Sequence, residues 1–217
     1  MNNIVSARIT QIVGYASLAA LFIFGDVYWF IASLVYYKLV VGLVGNQIGQ
    51  HRYFSHRSFN TTEFKAKVLG VLSLTTGVSP IIYASVHRHH HKFSDSDSDL
   101  HSPRHGFWHS VLGWQWAPKA NIRLPMDLIR DPFVLGLHNY IYKILAGVFI
   151  LLCLANIKIA VFIFAAGIGW NYLHMGVFRS ALVHLKLPGS YKNFEIDDDS
   201  WNNKYLQMLD IGEGLHN

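Results

Sequence analysis

The sequence predicts an all-α integral membrane fold: four transmembrane helices arranged as two hairpins, with a cytoplasmic helical cap rich in histidine. Three observations lead there. The chain of 217 residues is 52% apolar and only 14% charged, too apolar for an ordinary soluble domain. Four apolar stretches, about 9–24, 27–48, 133–155 and 157–178, each approach the ~20 residues a helix needs to cross the hydrocarbon core. The 13 histidines lie mostly in the polar sequence beyond those stretches.

Only Arg8 precedes the first stretch, which runs into Phe24-Gly25-Asp26 without a small-residue cleavage pattern, so it is read as a retained helix rather than a signal peptide. The link Gly25-Asp26 is short enough to force the second stretch back antiparallel, and Asn156 does the same for the fourth. Between the hairpins, Glu63 to Thr76 is mixed in polarity and is expected to lie along the membrane surface as a helix. The whole chain, 1–217, is expected to be a single membrane domain with 51–130 and 179–217 cytoplasmic. Ten of the 18 Lys and Arg residues fall between Arg52 and Arg130, a stretch that includes Lys119, and positive charge marks the cytoplasmic side. Both termini are then cytoplasmic. The formal charge of +5 is spread out, which suits an anionic bilayer surface and gives no nucleic-acid partner. The lone Cys153 lies in an apolar run, excluding a disulfide framework or a cysteine metal site.

The histidines fall into groups whose spacing metal binding explains. His51 and His56 are five residues apart where the second helix should leave the membrane. An α-helix turns 100° per residue, so this step rotates 140° and the rings converge only if the helix ends or is distorted there. In His87-Arg88-His89-His90-His91 the same arithmetic puts His87, His90 and His91 within one 100° sector and turns His89 away. His184 follows the fourth helix, and His216 lies in Gly212-Glu213-Gly214-Leu215-His216-Asn217. Imidazole sites suit iron, copper, nickel or zinc, and neutral ligands leave a dimetal centre its full charge. Asp97, Asp99 or Glu213 are candidates to orient the ligand N–H groups. The run Ser94 to Asp99 is read as a solvated turn, since Leu100 and His101 break any calcium-loop pattern.

These motifs resemble the membrane fatty-acid desaturases of the acyl-CoA Δ9 (stearoyl-CoA) type. The likeness runs from about Tyr36 to the last residue, through His51-Arg-Tyr-Phe-Ser-His56, His87-Arg-His-His-His91-Lys-Phe, Asp99-Leu-His101-Ser-Pro-Arg104-His-Gly-Phe-Trp108, Gly113-Trp114 and Gly212-Glu-Gly-Leu-His216-Asn217. The resemblance implies that His51, His56, His87, His90, His91, His184 and His216 are ligands of two iron ions, with His101 structural. It implies a cis double bond, expected at Δ9 of an acyl-CoA or acyl-lipid chain. Dioxygen would be the co-substrate, and two electrons would come from a small electron-transfer protein of ferredoxin or cytochrome b type. A related di-iron lipid hydroxylase and a truncated, non-catalytic membrane metal-binding protein remain as alternatives. The chain departs from the family pattern twice. Ser180 stands where Asn is usual, and the last motif stops at His216-Asn217 where His-Asn-x-His-His is usual, so the C-terminus is expected to be incomplete.

An acyl chain must be held with one pair of methylenes against the oxidant. Leu39, Val40, Leu43 and Val44, one to three turns before His51, are candidate liners of its path. Asn46 and Gln47, polar at membrane depth, are expected to bond a neighbouring helix or line a functional site. Trp114 and Trp170 are candidates to shape the path or a headgroup site, Trp116 is read as an interfacial residue, and Arg88, Lys92 and Arg104 are candidates to meet an anionic headgroup.

Overall fold

The computed structural model describes residues 2–117, 122–209 and 214–216; Lys119, Glu213 and Asn217 lie outside the described residues. Helix α1 (Asn2–Phe24) ends at the first short link, where the Asp26 carboxylate accepts the N–H groups of Tyr28 and Trp29 at 3.0 and 3.1 Å. That cap starts α2 (Val27–Ser55), which is α-helical to Tyr36 and π-wound from Tyr37 to Ser55. Thr62 caps α3 (Glu63–Ser73), which tightens into a 3-10 turn over Leu74–Thr76 and stops at Gly77, φ +82°. Helix α4 (Pro80–Phe93) begins with proline, whose missing N–H costs nothing in a first turn. Two short helices follow, α5 (His109–Gly113, continued by Trp114–Trp116) and α6 (Met126–Ile129). Asp131 caps α7 (Pro132–Ala155), and Asn156 accepts from Lys158 N at 2.9 Å to open α8 (Ile159–His184). Strands β1 (Ser190–Tyr191) and β2 (Asn202–Asn203) pair antiparallel, Ser190 opposite Asn203, and α9 spans Lys204–Leu209.

Among the described residues, α1, α2, α7 and α8 are long and apolar enough to cross a membrane, giving the all-α membrane protein that the sequence predicts. The mixed stretch Glu63–Thr76 is helical, and together with Pro80–Phe93 it forms a pair bent by 79°. Helix α2 runs on past Ile48 because its polar residues find partners inside the fold and need not leave the helix.

The chain divides into two compact units, residues 1–84 with 124–172, and residues 85–123 with 173–217. The first has an apolar core of Leu74, Leu137, Ile141, Leu145, Phe164, Ile168 and Tyr172, and a second cluster of Phe54, Ile81, Ala84, Leu128 and Val134. Beside these runs a buried amide network. The break after α3 frees backbone carbonyls that would be costly in hydrocarbon. Gln50 Nε2 donates to Val78 O at 2.6 Å and to Thr76 Oγ1 at 2.9 Å; Asn171 Nδ2 donates to Thr76 O at 3.1 Å; Asn46 Nδ2 donates to Asn171 Oδ1 at 3.3 Å. Helix α3 approaches α2 closely, and a Cβ on Gly49 would stand 2.4 Å from Ser73 Oγ. In the second unit, Ser110 Oγ lies 2.6 Å from His101 O and 2.5 Å from Ser180 O, joining α5 to α8.

Candidate metal centre

A π-helix repeats its hydrogen bond at i→i+5, so residues five apart share a face. His51 and His56 use that repeat: His56 N donates to His51 O at 3.0 Å, and their Nε2 atoms stand 3.0 Å apart. His51 Nδ1 lies 3.1 Å from Gln47 Oε1. His87 and His91, one α-turn apart on α4, form a second pair with their Nε2 atoms also 3.0 Å apart. His90 turns elsewhere: it is 4% exposed, and its Nδ1 donates to Asp99 Oδ2 at 3.0 Å. His89 leaves the group, its Nε2 donating to Ser98 O at 2.9 Å and its ring packing on Phe93.

His184, at the end of α8, donates Nδ1–H to Asp95 Oδ2 at 2.8 Å, and both side chains are fully buried. Its Nε2 is buried with no hydrogen-bond partner among the described residues. His90, His184 and His216 bring one nitrogen each to within 4.8 Å of the others.

The acidic run is only partly the solvated turn that the sequence suggests. Asp97 is exposed, but Asp95 and Asp99 are 1% and 2% exposed. Burial alone would raise the Asp95 carboxyl. Hydrogen bonds from His184, from Ser102 Oγ at 2.6 Å and from Asp199 N at 2.9 Å outweigh it and hold Asp95 well below the usual carboxylate range. Burial also raises Asp99, and His90, His101 and the Asp95 N–H (2.9 Å) likewise reverse the balance. Burial and then the neighbouring His90 push His101 well below its ordinary value, with Asp99 opposing in part. Sequence reasoning missed Asp95, because the Ser-Asp alternation makes residues 95, 97 and 99 look alike and only burial separates them.

The other candidates are dispersed. Leu39 and Leu43 are 56% and 37% exposed. Asn46 belongs to the amide network, and Gln47 faces His51. Trp114 is buried against the His101 ring at 5.0 Å, Trp116 is 40% exposed, and Trp170 sits among Phe22, Phe30 and Tyr37. Ser180 Oγ donates to Met175 O at 3.1 Å. Arg104 pairs with Asp199 at 2.6 Å, and Lys92 lies over the Phe93 ring.

These residues fit a metal. An imidazole whose Nδ1–H is held by a carboxylate, leaving Nε2 buried among other imidazoles, has the outer hydrogen bond that orients a ligand. With bonds of about 2.1 Å, two imidazoles at right angles on one ion place their nitrogens about 3.0 Å apart, the spacing found in both pairs.

Spanning helices and histidine clusters together define a multi-pass membrane protein whose histidines are grouped with spacing that suits a metal. No family model matches the chain. It is 30% identical over 207 residues to the sn-2 palmitoyl-lipid 9-desaturase of Nostoc sp. (strain 36), covering 85% of this chain and 67% of that protein. It is 31% identical to the sn-1 stearoyl-lipid 9-desaturase of Synechocystis sp. (86% and 58% covered) and 28% identical to the hex-5-enoyl-[acyl-carrier protein] acetylenase of Moorena producens (88% and 67%). The chain belongs to the Δ9-desaturase-like family of membrane fatty-acyl desaturases, a family of oxidoreductases. It spans 58–67% of the length of these three relatives.

Proposed function

We propose that this chain is an oxygen-dependent acyl desaturase whose seven histidines, His51, His56, His87, His90, His91, His184 and His216, hold two irons. The observation that carries the reading is His184: its Nδ1–H is held by Asp95 while its buried Nε2, beside His90 and His216, has no hydrogen bond among the described residues. When bound, the irons would supply activation of dioxygen, which with two electrons and two protons removes two hydrogens from adjacent methylenes and leaves as two waters. The chain's own residues do the rest. Asp95 and Asp99 keep His184 and His90 in one tautomer and one orientation. Their ionised carboxylates partly neutralise the positive centre. Burial of His90 and His184 excludes the bulk water that would compete for the oxidant.

The double bond is proposed at Δ9. Two of the relatives are named for acyl chains carried on lipids, which favours a lipid-borne chain over the coenzyme A thioester. A ferredoxin or cytochrome b type protein is proposed as the electron donor, and both termini as cytoplasmic. Expression in a host without unsaturated acyl chains, followed by gas chromatography and mass spectrometry of the fatty-acid methyl esters, tests the reading. A new cis-Δ9 monoene is expected. A hydroxylated product without a new double bond would instead assign the oxygenase chemistry, and an unchanged profile with iron-loaded protein would reject catalysis by this chain.

A further inference from the structure

Gln47 lies four residues before His51 on α2, is 2% exposed, and places Oε1 3.1 Å from His51 Nδ1. An amide oxygen only accepts, so this contact puts the His51 proton on Nδ1 and leaves the Nε2 lone pair on the side of His56, 3.0 Å away. The nearby amides have other tasks: Asn46 bonds Asn171, and Gln50 bonds Thr76 and Val78. We propose that Gln47 is a positioning residue for the metal site, selecting the metal-binding tautomer of His51 and fixing its ring. The proposal rests on the reading of His51 as an iron ligand and goes beyond it in one respect.

His90 and His184 are backed by ionised carboxylates, whereas His51 is backed by a neutral amide. A carboxylate acceptor makes an imidazole a stronger donor to a metal. On the π-wound part of a membrane-spanning helix a carboxylate would be costly to bury, and a glutamine selects the tautomer without that charge. The two kinds of support make His51 a weaker donor to a metal than His90 or His184, and a carboxylate at position 47 should strengthen it.

The full chain, purified in detergent and stripped of metal, is titrated with Co(II) against a competing chelator while the ligand-field absorption is followed. His51→Ala identifies the binding phase that depends on that ring. In that phase Gln47→Leu is expected to bind about 10–100-fold more weakly, and Gln47→Glu as tightly as the unaltered chain or more so. Unchanged affinity in Gln47→Leu overturns the positioning role, as does a Gln47→Glu chain as weak as the leucine variant. Should Gln47→Leu fail to fold, Gln47→Glu decides alone: affinity at or above the unaltered chain supports the role, and a tenfold loss rejects it. If His51→Ala binds Co(II) like the unaltered chain, the ligand reading fails instead.

Discussion

His184 and Asp95, 89 positions apart in the chain, meet through a 2.8 Å hydrogen bond between two fully buried side chains. Asp95 also accepts from Ser102 Oγ and Asp199 N, so one carboxylate ties a histidine at the end of α8 to two loops.

Replacing Asp95 by alanine strips acceptors from three buried or half-buried donors. A loss of about 3 kcal/mol or more in stability is expected, since each stranded buried donor costs about 1–3 kcal/mol. Bound iron should fall with it, by about 10–100-fold in affinity. Elemental analysis and thermal melting of the purified variant measure both; full iron occupancy in Asp95→Ala would contradict the orienting role.

The depressed Asp95 carboxyl sets a pH dependence. A group whose folded pKa lies below its unfolded value stabilises the fold above the unfolded value, about 3.9 for aspartate, and loses that contribution as pH falls through the folded one. The stability gap between the metal-free chain and Asp95→Asn is therefore expected to be full near pH 6 and to shrink as pH falls below about 4. A gap that widens on acidification has the wrong sign. Denaturant titrations at several pH values give the gap directly.

The rings of α4 have separate expected fates. His87→Ala and His91→Ala should each lower bound iron and abolish desaturation. His89→Ala, whose ring donates to Ser98 O, should keep both. Equal losses in all three would show that the helix does not sort its histidines as its geometry implies.

Gly77 holds φ at +82° between the Leu74–Thr76 turn and α4, and a Cβ there would stand 2.7 Å from Ile168 Cγ2. Gly77→Ala combines a left-handed backbone penalty of about 1–2 kcal/mol with overpacking of about 1–3 kcal/mol. A fall in melting temperature in detergent is the expected reading, larger than for alanine at Gly136, where an added Cβ meets nothing.

The spanning helices were legible because bilayer thickness sets their length and a single capping residue, Asp26 or Asn156, starts each returning helix. The split among the α4 histidines was only half legible. Turn arithmetic removes His89, but it cannot separate His90 from His87 and His91, because that division depends on Asp99 nine residues away. Leu39 and Leu43 lie on the segment from Tyr37 to Ser55, which is π-wound, so counting in α-helical turns does not fix the face they occupy; both side chains are exposed. Asp95 was illegible for a different reason, since its partners come from residues 102, 184 and 199.

The π winding of Tyr37–Ser55 makes the end of α2 sensitive to length as well as to composition. Gly49, Gln50 and Phe54 are already fixed by their buried contacts, and one residue gained or lost between Gln47 and His56 would in addition swing Gln47, His51 and His56 off their common face. Over this segment, natural variation should appear as substitutions at fixed spacing, with insertions and deletions confined to the links on either side.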